Sequence, residues 1–268
     1  MTIPRFVDVH CHLLPAIDDG PADWPQSLAL AAMLHAEGVC TAIATPHQLG
    51  RFEANKPARI RQLVAEAQRR FHDAGIPLTV LPGADVRVTD DLVDRLRRGE
   101  VQTLASASRY ILLELPHDLA LPLGRLIYQL ESEGVGSILS HPERNLALQA
   151  GPDRLRPWVA QGCLVQVTAG SIVGRFGPEA RHVCRRLIQD DLVHLVASDA
   201  HDVSARPPLL QEAFAVVQRW AGSSVAENVF CVNPAAVAAG DDVHVPFPIA
   251  RRGGWGRWVR RLIGSGAT

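Results

Sequence analysis

Val7-Asp8-Val9-His10-Cys11-His12 is a short apolar run that ends in two histidines one residue apart. On a β-strand, side chains alternate between faces, so His10 and His12 point the same way, roughly 6–7 Å apart by the rise per residue. Two imidazoles so placed can converge on one metal ion, yet a polar pair at a strand end needs no such role. Recurrence decides between the two. Acids and histidines reappear at the ends of later apolar runs, in Asp18-Asp19-Gly20, Thr45-Pro46-His47 and Pro82-Gly83-Ala84-Asp85. They reappear again at Glu114, in Ser140-His141-Pro142-Glu143-Arg144 and in Ser198-Asp199-Ala200-His201. Mixed carboxylate and imidazole donors suit Mn²⁺, Fe²⁺ or Zn²⁺ rather than a thiolate-seeking metal.

The elements that must position these groups alternate along the chain. Strand-like runs are expected at Phe6–His12, Cys40–Pro46, Leu78–Ala84, Tyr110–Leu115, Gly136–Pro142, Cys163–Thr168 and Val193–Asp199. Helices are expected between them at Pro25–Glu37, Pro57–Ala74, Asp90–Arg98, Pro122–Glu133, Pro152–Gln161, Pro178–Gln189 and Pro208–Trp220. Several of these open on proline, which suits a first helical turn. Runs rich in Val, Ile and Leu with little polar alternation predict a parallel sheet covered on its outer face. Seven βα units in succession predict a (β/α) barrel, one strand short of the usual eight. The recurring acids and histidines then share one rim, the face on which such folds hold their active sites.

Composition narrows the function class. With 268 residues and 47% hydrophobic content, the chain can bury one large core, and its net charge of −1 gives no argument for nucleic acid. Basic residues are almost all arginine, Lys56 being the sole lysine. The start Met-Thr-Ile-Pro-Arg lacks the basic-then-apolar design of a signal peptide, and no apolar run reaches membrane-spanning length, so a cytoplasmic protein is expected. The five cysteines, Cys11, Cys40, Cys163, Cys184 and Cys231, form no C-x-x-C, and reduced thiols are expected. Cysteine-dependent tyrosine phosphatases carry an arginine six residues after the nucleophile. Here those positions hold Ile17, Pro46, Ala169, Asp190 and Val237, which excludes that chemistry.

Together, His10-x-His12, Asp18-Asp19-Gly20, Thr45-Pro46-His47, Ser140-His141-Pro142-Glu143-Arg144 and Ser198-Asp199-Ala200-His201 resemble the motifs of the PHP (polymerase and histidinol phosphatase) superfamily. More narrowly, the chain resembles the bacterial manganese-dependent protein-tyrosine phosphatases of capsule and exopolysaccharide synthesis. The Asp-Asp-Gly loop, Arg206-Pro207-Pro208 after His201 and the closing Asn233-Pro234-Ala235 fit that subgroup, and the likeness runs from about Phe6 to Val243. It implies an α/β fold, a distorted (β/α)7 TIM-like barrel of the PHP type spanning residues 1–245, with three divalent ions, Mn²⁺ foremost, at its rim.

By the same resemblance, His10, His12 and Asp199 hold the first ion, Glu114 and His141 the second with Asp85 bridging the two, and Asp19, His47 and His201 the third. The bridging position is usually glutamate in these phosphatases, so Asp85 is a departure, shorter by about 1.5 Å. Arg144 and Arg206 occupy the phosphate-binding positions, where a guanidinium fork suits phosphoryl oxygens. The general acid is left open among His201, a water and no acid at all. A metal-dependent phosphomonoester hydrolase is thus expected, acting on the tyrosine-rich tail of a bacterial tyrosine autokinase, with self-association suggested. The alternatives are a small-molecule phosphatase, for histidinol phosphate or a nucleotide, and a weakly active metal-bound scaffold.

Other polar residues read more plainly. His35, His72, His182, His194 and His244 sit away from strand ends and are assigned surface or core roles. His117, after the Glu114 strand end, could reach the site and Arg51, after His47, could meet a phosphoryl substrate, but loop roles are expected for both; Asp18 is read as a group that orients a neighbour and Asp202 as an accessory. Residues 246–268 form a basic tail with interleaved Trp255 and Trp258, for which an anionic membrane surface, a kinase and an oligomer contact are the partners considered.

Overall fold

The computed structural model describes residues 5–243. The basic tail and His244 therefore lie outside the described residues. Nine strands are found among them: β1 (Phe6–Cys11), β2 (Val39–Ala44), β3 (His47–Gln48), β4 (Thr79–Pro82), β5 (Asp85–Arg87), β6 (Tyr110–Glu114), β7 (Gly136–Ser140), β8 (Leu164–Thr168) and β9 (Leu195–Ala197). All pair in parallel, in the orders β1-β2-β4 and β3-β5-β6-β7-β8-β9.

Seven runs became nine strands because two of them break. The second breaks at Thr45-Pro46, where proline cannot donate to a ladder, and the third at Gly83-Ala84. Past each break the chain leaves the first sheet and joins the second. Backbone bonds carry the pairing across the gap, from Gly83 N–H to Ala44 O (2.9 Å) and from Asp85 N–H to Pro46 O (3.1 Å). At the opposite seam, β9 meets β1. Asp199 N–H donates to His10 O at 2.8 Å and His12 N–H to Ala200 O at 2.9 Å. The result is the expected seven-fold barrel, distorted at the two breaks.

Helices cover the outside: α1 (Trp24–Ala36), α2 (Pro57–Asp73), α3 (Leu92–Arg97), α4 (Gly124–Ser132), α5 (Leu146–Ala150), α6 (Leu155–Ala160), α7 (Ala169–Val173), α8 (Gly177–Gln189), α9 (Leu210–Ala221), α10 (Ser223–Glu227) and α11 (Asn233–Ala239). Spacing explains their burial. α8 turns Ala180, Val183, Cys184, Leu187 and Ile188 inward, the i, i+3, i+4, i+7 stripe of an amphipathic helix. The helix expected over Pro152–Gln161 is shorter. Its first turn is a 3-10 turn at Pro152–Arg154, and α6 begins so that Pro157, which has no N–H to donate, falls in its first turn.

Two apolar clusters result. The larger lies between strands and helices. The smaller takes Val7 and Val9 from β1, Ile43 from β2, Leu112 from β6, Ile138 from β7, Leu164 from β8 and Leu195 from β9, with Val237 of α11 against it. A cluster fed by strands from both sheets fills the barrel, as in packed (β/α) cores. Side chains beyond it on the same strands face the rim.

Candidate metal centre

The carboxyl ends of the strands bring the nine predicted ligand positions together. His10 lies on β1 and His12 just beyond it, His47 opens β3, Asp85 opens β5, Glu114 ends β6, His141 directly follows β7, and Asp199 lies two residues past β9. His141 and Asp199 have positive φ, 32° and 51°, a costly backbone for a residue with a Cβ.

At the centre, His10 Nε2 and His12 Nε2 stand 3.2 Å apart. Asp199 Oδ1 is 3.2 Å from the first and 3.4 Å from the second. Asp85 Oδ2 lies among three imidazoles, 3.7 Å from His10 Nε2, 3.5 Å from His47 Nδ1 and 3.8 Å from His141 Nε2. The shorter acid therefore lies within 4 Å of all three rings. Glu114 Oε2 is 3.7 Å from His47 Nδ1. On the outer side, Asp19 Oδ1 is 3.4 Å from both His47 Nε2 and His201 Nε2. Three sets of donors are compact enough for one ion each: His12, Asp19, His47 and His201; His10, His12 and Asp85; and His47, Asp85 and Glu114.

Both oxygens of Asp85, His47 Nδ1 and His201 Nε2 are buried without a hydrogen-bond partner. Each such atom costs roughly 1–3 kcal/mol when left unsatisfied. Four of them aimed into one acid-rich pit are accounted for by cations, so the residues fit a metal centre. The electrostatics agree. Burial alone would raise the Asp199 carboxyl, but His10, His12, Arg206 and Arg144 hold it well below the usual range. Burial pushes His10 down to about 4. It works against protonating His12 too, yet the Asp18 and Asp199 carboxylates raise that ring to about 10. The pit calls for positive charge.

The ring orientations are set from behind. His10 Nδ1–H donates to Gln166 Oε1 (2.9 Å), His12 Nδ1–H to Asp18 Oδ2 (2.8 Å) and His201 Nδ1–H to the Asp199 carbonyl (3.0 Å). Each bond fixes the tautomer that leaves Nε2 free to face the centre. Asp18 also accepts from the backbone N–H of His47 and of Gly20, both at 3.0 Å, so one carboxylate ties the loop after β1 to β3. Asp202 is accessory, as the sequence suggests: it accepts from Ser204 N–H and Ala205 N–H, closing the turn before Arg206.

Some supports escape sequence reasoning. Gln166 is one, although a polar residue inside Leu164-Val165-Gln166-Val167 is a visible signal. Asp8 is another. It is buried, it accepts from Ser198 N–H (3.0 Å), and burial pushes its carboxyl up to about 6. Thr45, quoted in the motif Thr45-Pro46-His47, is a third: its Oγ1 accepts from Cys11 N–H at 2.9 Å, a role the motif does not announce.

A cavity of about 190 Å³ opens over the centre. Arg144 and Arg206 line it, and both pair with Asp199. Arg144 is stacked on Phe176, 4.3 Å from the ring centroid. His117 and Arg51, read from sequence as plain loop residues, also line the cavity, as does Arg87. His35, His72 and His182 are exposed and His194 is buried in the core. The five cysteines are free, and none lines the cavity.

Comparison with known proteins follows from this geometry. The family described as capsular polysaccharide synthesis, CpsB/CapC, matches residues 6–239. The tyrosine-protein phosphatase YwqE of Bacillus subtilis is 36% identical over 221 residues, 82% of this chain and 87% of its own length. The tyrosine-protein phosphatase CpsB of Streptococcus pneumoniae is 29% identical over 236 residues, 85% of this chain and 96% of its own. A crystal structure from the work on YwqE and CpsB, described as unique metal-dependent tyrosine phosphatases, superposes with a TM-score of 0.87 at 33% identity, covering 90% of this chain and 98% of that one. A β-aspartyl dipeptidase of Fervidobacterium islandicum shares the fold alone, with a TM-score of 0.53 at 13% identity. With its rim of acids and histidines over a seven-stranded parallel barrel, the chain belongs to the CpsB/CapC family.

Proposed function

We propose that this chain is a metal-dependent protein-tyrosine phosphatase, a phosphoric monoester hydrolase that works without a cysteine nucleophile. The observation that carries the reading is the pit itself: imidazoles and carboxylates from across the barrel meet there, with both Asp85 oxygens buried and unpartnered. His10, His12 and Asp199 would hold one ion, Glu114 and His141 a second with Asp85 shared, and Asp19, His47 and His201 a third; the donors suit Mn²⁺, Fe²⁺ or Zn²⁺, and Mn²⁺ is the ion the family resemblance implies. Bound there, divalent ions neutralise a phosphate dianion and bring the pKa of a water from 15.7 to about 7.

The chain's own residues do the rest. Arg144 and Arg206 already converge on one carboxylate, Asp199, so their forks are arranged for an anion. They take the phosphoryl oxygens and orient the ester. Phe176 keeps the Arg144 guanidinium plane in place. His201 keeps Nδ1 on the Asp199 carbonyl and so presents Nε2 to the centre, where it would serve as a ligand. A phenolate, whose conjugate acid has a pKa of about 10, departs without a strong acid beside it.

The cavity is small against the roughly 300–1,000 Å³ of sites that enclose whole ligands. At about 190 Å³ it falls below that range, in keeping with a substrate most of which stays outside. This favours a protein substrate over an enclosed metabolite. We assign the substrate to the phosphotyrosines of a bacterial tyrosine kinase in polysaccharide export, with the enzyme in the cytoplasm. No helix among the described residues is long and apolar enough to cross a membrane. The test compares kcat/KM on a phosphotyrosine peptide with that on histidinol phosphate. A higher value for the peptide is expected. The reverse order would make the chain a small-molecule phosphatase, and negligible turnover of both by the metal-loaded protein would make it a scaffold.

A further inference from the structure

We propose that Arg51 and Arg87 form a second anion subsite at the mouth of the cavity, selecting phosphotyrosine segments that carry another anionic side chain close to the phosphorylated ring. This rests on the phosphatase reading and names its substrate preference.

Four arginines line the cavity, and they divide into two pairs. Arg144 and Arg206 follow β7 and β9 and point to Asp199. Arg51 and Arg87 lie on the other side of β6, in the loop after β3 and at the end of β5, which pair directly. The loop that carries Arg51 packs on Arg87. Gly50 has a φ of +55°, and a Cβ there would sit 3.5 Å from Arg87 Cγ, so the loop lies along the Arg87 stem. Arg51 stacks over Phe52 at 4.8 Å, and Phe52 in turn stacks on His47 at 5.2 Å. A guanidinium is thus tethered, through one aromatic ring, to a residue of the metal centre.

Arg51 is unpaired among the described residues, and Arg87 is engaged through Nη1 alone. Most surface arginines with a nearby acid are committed to it: Arg95 to Asp91 at 2.7 Å, Arg97 to Glu133 at 2.6 Å, Arg156 to Asp190 at 2.7 Å. Arg51 has no carboxylate within 4.0 Å among the described residues. Arg87 donates from Nη1 to the Leu115 carbonyl at 3.2 Å, stands 3.7 Å from Glu114, and keeps its other donors. With the phosphoryl group seated beside Arg144 and Arg206 in a cavity of about 190 Å³, residues flanking the phosphotyrosine lie over its mouth. One or two residues of extended peptide span about 3–7 Å. A carboxylate or a second phosphate at that distance meets this pair.

The test uses the full-length, metal-loaded protein and synthetic phosphotyrosine peptides. One has neutral flanks, a set places Glu at each of the two positions on either side, and a set places a second phosphotyrosine there. The readout is the ratio of kcat/KM for an anionic peptide to that for the neutral one. A loss transmitted through Glu114 strikes all peptides alike and cancels in this ratio. The wild type is expected to favour the best Glu peptide by about fivefold, the size of a partly exposed ion pair, and to lose that preference as salt rises. In Arg51→Gln/Arg87→Gln the ratio falls to about one. A second phosphotyrosine that outperforms Glu marks the dianion as the preferred ligand. Equal turnover of anionic and neutral peptides by the wild type, or a preference that survives in the double variant, overturns the subsite. Binding of the same peptides with a non-hydrolysable phosphonate, followed by fluorescence anisotropy, repeats the comparison without turnover. Preferential binding with no hydrolysis would reject the phosphatase reading and leave the subsite standing.

Discussion

At the scale of single residues, the site depends as much on what stands behind the imidazoles as on the imidazoles themselves. Asp18 and Gln166 touch the far nitrogens of His12 and His10, and so decide which tautomer faces the centre. Asp18→Asn and Gln166→Leu are each expected to weaken metal affinity by about 10–100-fold, the usual cost of losing such a support, while circular dichroism stays native. Titration calorimetry on metal-stripped protein checks this, and unchanged affinity would deny both residues their role. For the substrate, Arg144→Lys keeps the charge but loses the fork. A drop in kcat/KM on a phosphotyrosine peptide of about a hundredfold is expected, comparable to removing one preorganised donor. Wild-type turnover in that variant would place the phosphate elsewhere. Asp85 also belongs to this scale. It lies among three imidazoles, at the position where the resemblance leads one to expect glutamate.

At the scale of elements, the two broken strands aim the ligands. Had β2 run straight into His47, or β4 into Asp85, both residues would have stayed in the first sheet. Instead, Pro46 and Gly83 end the ladders and the chain steps across. Gly83 permits this because nothing larger fits: a Cβ there would lie 2.6 Å from Ile43 Cγ2 and 3.0 Å from Leu104 Cδ2. Gly83→Ala is expected to cost about 1–3 kcal/mol in urea unfolding and to lower metal affinity by displacing Asp85. A variant as stable and as avid as the wild type would show the break to be incidental. This is also where sequence reasoning stops. The seven runs and the residues at their ends are legible because apolar stretches of Val, Ile and Leu announce buried strands and the polar residues interrupt them sharply. The steps at Pro46 and Gly83 are not, since each reads equally as a strand simply ending. The five-residue helices α5, α7 and α10 are too short to show a period. Gln166 was in plain view, but its partner His10 is 156 positions away and only the barrel brings them together.

At the scale of the whole molecule, burial sets how stability responds to pH. His194, just before β9, accepts a hydrogen bond from Val165 N–H at 3.0 Å through Nδ1, and burial pushes the ring down to about 4. Above the unfolded value of 6.5 both states are neutral and the residue contributes no pH dependence. As pH falls from there toward 4, the unfolded chain takes up a proton that the folded ring cannot, so stability is lost. The full loss is on the order of 3 kcal/mol, one pKa unit being about 1.4 kcal/mol. His194→Gln keeps an acceptor and does not titrate. The stability gap between wild type and variant, measured in urea at pH 7 and pH 5, should therefore shift against the wild type at the lower pH by about 1–2 kcal/mol. A gap independent of pH would contradict this assignment.

The account stands or falls on cations in the pit, and metal dependence tests it most directly. Protein stripped with EDTA and desalted is expected to lose phosphotyrosine-peptide hydrolysis, to regain it as Mn²⁺ is titrated back, and to be indifferent to prior alkylation of its thiols. Steady turnover in protein shown by elemental analysis to be free of metal, or loss of activity on alkylation with metal retained, would contradict it.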